Sequence, residues 1–167
     1  MPKVVSTDQS LGQNTSRKYL KRVSITGLIL SVLGLADATY LTIAHYSTTV
    51  SLVCPETKFV NCAKVTTSSY SMIHGVPVAV FGLVFFAVMI LLQLPVAWES
   101  ANQRLRSFRV LFAIVGMLSV FYLVYVELFK LNAICLYCTG AHILTFCVFA
   151  ITLIGTSIIK PNNTPVT

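Results

Sequence analysis

Four apolar stretches, each long enough to cross a bilayer as a helix, constrain this chain more than any other feature. They run near residues 23–46, 76–98, 110–131 and 133–159. A hydrocarbon core about 30 Å thick is crossed by roughly 20 helical residues, and backbone polar groups in lipid must pair within their own segment. With 56% hydrophobic and 10% charged residues, the composition excludes an ordinary soluble domain. The expected fold is all-α: an integral membrane bundle of four transmembrane helices, capped at one end by a short loop or half-helix. Residues 1–22 form a basic polar segment, 23–159 the membrane domain with a long loop at 47–75, and 160–167 a tail. The first apolar run is too long for a signal-peptide core and lacks a small-residue cleavage site, so it is expected to stay as an anchor.

The basic residues give the orientation. Lys3, Arg17, Lys18, Lys21 and Arg22 precede the first run, Arg104, Arg106 and Arg109 join the second to the third, and Lys160 follows the fourth. Only Lys58, Lys64 and Lys130 fall on the other side. Both termini are therefore expected in the cytoplasm, with the loop at 47–75 and the tight turn around Leu131-Asn132 facing outward. The net charge of +7 reads as a topology signal, and nucleic-acid binding is an unneeded hypothesis.

Four of the five cysteines, Cys54, Cys62, Cys135 and Cys138, fall on that outward side, where an oxidising compartment lets pairs cycle through disulfides. Cys147 lies deeper, roughly opposite Cys138 on its helix, and is expected to be an inert thiol. Cys54 and Cys62 are eight apart in a stretch able to close a small ring, and one stabilising disulfide would account for them. Beyond them, "AKVTTSSYSMIHG" is expected to form a short amphipathic or re-entrant helix stopped by Gly75, and Pro77 suits the first turn of the next span.

The segment "NAICLYCTGAH" argues for more than a staple. Cys135 and Cys138 are expected in the first helical turn, where free N–H groups and the helix dipole stabilise a thiolate. His142 shares a face with Cys138 at i, i+4. A zinc site would need a fourth ligand, from a loop cysteine or His74, and the spacing repeats no zinc pattern. A purely structural CxxC ring would add little entropy loss to the unfolded state. Asp37, in "LGLADATYLTIAHY", is an ionisable group inside the first span, either a functional group or a helix-packing hydrogen bond. His45 is expected at the interface, and Gly27, Gly34, Gly82 and Gly116 at close helix approaches.

"YLTIAHY", "CPETKFVNCAKVTTSSYS", "HGVPVAVFG" and "ICLYCTGAH", in this order and topology, resemble the vitamin K epoxide reductase family over roughly residues 23–159. The bacterial disulfide-forming homologues look most similar. The resemblance implies a membrane thiol oxidoreductase that passes electrons through two cysteine pairs to a quinone, ubiquinone or menaquinone, in a bacterial plasma membrane. It implies that Cys54 meets the protein partner, that Cys62 exchanges with Cys135, and that Cys138 lies beside the quinone. Ser68 falls where relatives place a serine sealing the quinone pocket. His142 falls where vertebrate members carry a tyrosine on the quinone oxygen, and Asp37 is a further candidate for cofactor binding.

Two departures narrow the expectation. Pro77-Val78-Ala79-Val80 stands where vertebrate members have a pocket asparagine, which favours plain quinone reduction over a vitamin K epoxide substrate. Many bacterial members carry a fused thioredoxin-like domain, whereas this chain ends at Thr167, so the redox partner is expected to be a separate extracytoplasmic thioredoxin-fold protein. The competing readings are a four-helix scaffold held by structural disulfides and a metal-handling protein using thiols as soft ligands.

Overall fold

The apolar runs become helices whose polar side chains bond back to their own backbone, as lipid requires. In the computed structural model, which describes residues 3–47, 52–55, 57–100 and 102–158 with side chains from Thr15 to Ser157, the first helix, α1, runs Lys3–Tyr46. Ser31, Thr39 and Thr42 donate to the carbonyls of Gly27, Leu35 and Ala38 at 2.7–2.8 Å. The basic segment before the first apolar run is thus helical and continuous with it.

After α1 come a short helix α2 (Cys62–Thr66), a 3-10 turn (Ser69–Ser71) and two paired strands, β1 (Met72–Ile73) and β2 (Val76–Pro77). The expected amphipathic helix over "AKVTTSSYSMIHG" is therefore broken into three pieces. Met72 pairs with Pro77 and Ile73 with Val76, leaving His74 (φ 49°) and Gly75 (φ 80°) as a two-residue turn. Positive φ at both central residues is what a tight hairpin of this twist demands. Gly75 therefore turns a hairpin rather than stopping a helix.

Helix α3 (Val78–Gln93) is followed by α4 (Pro95–Glu99). The residue before a proline is pushed out of the α region, and Leu94 is extended with ψ 141°. The second apolar run thus yields a 16-residue helix, about 24 Å at 1.5 Å per residue, shorter than the span expected at 76–98. Helix α5 (Gln103–Tyr125) continues into a π-helical turn (Val126–Leu131) closed by left-handed Asn132, and α6 runs Leu136–Ile158. Three described helices are long and apolar enough to cross a membrane: Thr15–Tyr46, Gln103–Leu131 and Leu136–Ser157.

Helix α1 packs against α3 and α6, and α6 also against α5. Phe86 and Phe85 lie over Gly34 and Gly116, in space that a Cβ at either glycine would take. Gly27 faces the Gln93 side chain in the same way, whereas Gly82 leaves ordinary room beside Ala38. Outside the bundle, Ile29, Leu33, Leu118, Phe121, Ile143 and Phe146 are exposed. An apolar outer belt of this kind belongs in a lipid phase.

The far end of the bundle is clamped by a buried polar network. Gln93 Nε2 donates to Thr152 Oγ1 at 2.8 Å, Trp98 Nε1 donates to Gln93 Oε1 at 2.9 Å, and Ser24 Oγ donates to the Gln93 carbonyl. Arg109, expected in a loop, is instead buried within α5. Its guanidinium donates to the Ala97 carbonyl at 2.7 Å and lies 3.8 Å from the centroid of the Trp98 ring.

Candidate redox site

The capped end is built around one backbone pairing. Val60 forms an isolated parallel bridge with Ile134, in which Ile134 N donates to Phe59 O at 2.8 Å and Asn61 N to Ile134 O at 3.1 Å. Asn61 then caps α2, its Oδ1 accepting from Lys64 N at 2.8 Å. An asparagine at this position satisfies a donor that the helix leaves free. The consequence is positional: Cys62 opens α2 just beyond Val60, and Cys135 directly follows Ile134. Both are buried, at 1% and 0% exposure, in one cluster with Val65 and Ala133, against which Cys54 and Cys138 pack.

Cys54 and Cys62 are joined by a disulfide, with Cα atoms 6.1 Å apart. Cys54 is partly buried, but its neighbour Val53 is 80% exposed. Tyr137, between the other two cysteines, donates its hydroxyl to the Val53 carbonyl at 3.0 Å and packs on Tyr40 with ring centroids 5.1 Å apart. This tyrosine pins the Cys54 segment to α6 and α1.

Cys135 and Cys138 are free thiols. Cys135 sits just before α6 rather than in its first turn, and it acts as the cap. Its carbonyl accepts from Thr139 N at 2.9 Å, and its Sγ accepts from the Cys138 backbone N–H at 3.3 Å. The hydrogen bond from the Cys138 thiol holds the Cys135 thiol below its ordinary value, helped by the Cys138 backbone N–H and opposed by burial and by the charge of Glu127. Sulfur in this capping position meets helix N–H groups that favour a thiolate.

Behind this pair lies a mainly apolar cavity of about 540 Å³ between the cap, α1, α3, α5 and α6. Of Cys54, Cys62, Cys135 and Cys138 only Cys138 lines it, with His142 one turn further along α6. Ser68 lines it from the cap, its hydroxyl donating to the Val65 carbonyl at 2.8 Å. Pro77, Val78 and Ala79 give it an apolar wall at the start of α3.

Asp37 is placed elsewhere. The wall takes Ala38, Leu41 and His45 from α1, a row three to four residues apart, and Asp37 falls off it. Asp37 Oδ2 is buried without a hydrogen-bond partner, and its charge acts on Tyr137 and Cys138. Glu127 went unremarked in the sequence, where a lone carboxyl eight residues before Cys135 follows no pattern. It is 6% exposed and lines the cavity. Among the described residues no three His, Cys, Asp or Glu side chains are grouped to hold a metal ion.

A cavity of this size suits a ring-sized organic ligand, since such sites are mostly apolar with a few placed polar groups. The fit of a quinone therefore rests on the dry lining, the thiol in its wall, and the His142 and Ser68 polar groups. No individual curated protein matches the chain. The profile of the vitamin K epoxide reductase family matches residues 25–153, a stretch that holds the cap, the cavity walls and all five cysteines. The chain belongs to the vitamin K epoxide reductase family, a multi-pass membrane protein in a family of thiol oxidoreductases.

Proposed function

We propose that the protein oxidises an extracytoplasmic thioredoxin-fold dithiol partner and delivers the electrons to a membrane quinone, ubiquinone or menaquinone. The observation that carries this reading is the division of labour among four cysteines. Two pairs share one buried cluster, and Cys138 alone of the four reaches the cavity.

A thiolate of the partner attacks Cys54, the sulfur beside exposed Val53, and releases Cys62 as a thiolate. Cys62 attacks Cys135 in an oxidised Cys135–Cys138 pair and releases Cys138. The second thiol of the partner then frees Cys54 and leaves the partner with a disulfide. Cys54 attacks Cys62, restoring their bond and leaving Cys135 and Cys138 reduced. The bonding in the structure, Cys54–Cys62 joined and the inner pair free, is the arrangement this last exchange produces. Such exchanges run through mixed disulfides at rates set by thiolate character and leaving-group pKa.

A bound quinone supplies a two-electron, two-proton acceptor for the inner pair. Ser68 and His142 are assigned to hold it, and a histidine can donate a hydrogen bond to a carbonyl oxygen. Asp37, outside the wall, is assigned no contact with it. The Pro77-Val78-Ala79 wall, without an amide side chain, favours plain quinone over a vitamin K epoxide. We assign the four apolar helices, α3 included, to four crossings of a bacterial plasma membrane, with both termini cytoplasmic and the cysteine cap outside. The basic residues support this orientation.

The test is direct. Protein purified in detergent is given a reduced thioredoxin-fold protein and a ubiquinone or menaquinone analogue, and quinone absorbance is followed. Turnover is expected in the native protein, and turnover that survives Cys138→Ala would sink the mechanism. For the histidine, His142→Phe is expected to weaken quinone affinity about tenfold, roughly the loss of one hydrogen bond in a dry site. Unchanged affinity and rate would remove His142 from the pocket.

A further inference from the structure

Oxidising a dithiol removes two protons as well as two electrons, and the cysteine relay accounts for the electrons alone. Glu127 is placed to deal with the protons. It opens the first turn of the π-helical segment, a backbone irregularity that recurs at functional sites. Its own carbonyl accepts from the N–H groups of Asn132 and Ala133, fixing the turn that leads to Cys135. Its carboxyl interacts with the backbone N–H of Cys135, and its charge acts on both Cys135 and Cys138. The same residue lines the cavity with Cys138 and His142. No cation neighbours the carboxyl among the described residues, and Lys64 and Lys130 on the adjoining elements are exposed. The other titratable groups on the cavity wall, besides Cys138, are His45, Tyr70 and His142, while Asp37 stands outside it.

We propose that Glu127 is the proton carrier of the inner cysteine pair, standing between the buried Cys135 sulfur and the cavity. The inference rests on the oxidoreductase reading above. When the reduced pair is oxidised, the Cys135–Cys138 bond forms while the Cys138 S–H and the Glu127 carboxyl O–H each give up a proton. Both electrons and both protons go to the quinone, which becomes the hydroquinone. Cys135 lies outside the cavity wall, so its proton travels by way of the Glu127 carboxyl. The other proton is that of Cys138, which lies in the wall itself. In the reduced protein the Cys135 sulfur is held as a thiolate by the N–H and S–H of Cys138, and its proton rests on Glu127.

Infrared difference spectroscopy on quinone-free protein tests this without turnover. Reduction of the inner pair is expected to bring up a protonated-carboxyl C=O stretch that is absent from Glu127→Gln and retained in Asp37→Asn. No such band, a band that persists in Glu127→Gln, or one lost only in Asp37→Asn overturns the assignment. With partner and quinone present, Glu127→Gln should lower kcat about 100-fold, the low end for loss of a positioned proton-transfer group, with the KM for the partner unchanged. Glutamine keeps the acceptor beside the Cys135 N–H, so an unaltered kcat would reduce Glu127 to a structural role. Wild-type protein that reduces no quinone would overturn the oxidoreductase reading, and the infrared result would still decide whether Glu127 shares the thiol proton.

Discussion

The two ends of this bundle both bury polar groups, and they use them in opposite ways. At the far end, Gln93, Thr152, Trp98, Ser24 and Arg109 bond to one another or to backbone in one fixed arrangement. At the capped end the comparable positions hold sulfur, two atoms bonded and two free, packed in one cluster. Satisfied hydrogen bonds rigidify a bundle, whereas adjacent thiols and disulfides store a reaction. What separates the two clusters in kind is the chemistry of their members.

The comparison breaks if a change at one end acts like a change at the other. Cys138→Ala should have the largest effect, a loss of about 1,000-fold or more in turnover, as for removal of a nucleophile, with thermal stability in detergent nearly unchanged. In that variant the Cys135 thiolate, left without Cys138, can attack Cys62 of the Cys54–Cys62 bond and release Cys54 as a thiol. A Cys62–Cys135 cross-link should therefore be found by mass spectrometry, and a Cys54–Cys135 link in its place would contradict the packing around the Val60–Ile134 bridge. Arg109→Ala should show the converse. It removes a charged hydrogen bond and a stacked cation, costing about 2–3 kcal/mol of stability, while the activity of the folded fraction stays the same. Gly34→Ala, which drives a methyl into the Phe86 ring, should cost about 1–3 kcal/mol by thermal or denaturant unfolding, again without altering the chemistry.

The smallest expected effect is in pH dependence. Because Cys135 is held below its ordinary value, its thiolate persists as pH falls. Between pH 8 and 7 its exchange rate, read by rapid acid quench, should drop by clearly less than the nearly tenfold of a thiol near pKa ~8.5. By linkage, a depressed thiol stabilises the reduced protein fully above the unfolded value, and that contribution is lost as pH falls through the lower folded one. The reduced protein should therefore melt higher near pH 9 than near pH 6, and Cys135→Ser should flatten the difference.

The parts of the site legible in the sequence are those carried by local pattern. Apolar length marks the helices, and the CxxC three residues apart with His142 one turn on puts Cys138 and His142 on one face. What escaped depends on pairings between distant residues. Val60 and Ile134 bear no mark of being partners, yet their bridge brings Cys62 and Cys135 into one cluster. Glu127 went unremarked because a π-helical turn shifts the register that α-helical spacing assumes. Arg109 read as a topology signal, since nothing local shows that its guanidinium finds the Trp98 ring. Pro95 was the one visible cue that went unused, and it is the residue that shortens α3.

The Val60–Ile134 pairing also says where this chain tolerates a change of length. Strand-like segments alternate sides residue by residue, so one residue inserted between Val60 and Cys62 would turn the sulfur away from Cys135 even with every cysteine present. An insertion in the stretch before Thr57, ahead of that register point, would leave the two sulfurs facing each other. Length variation among proteins of this architecture should therefore concentrate on the approach to the bridge and be nearly absent from the two steps beyond it.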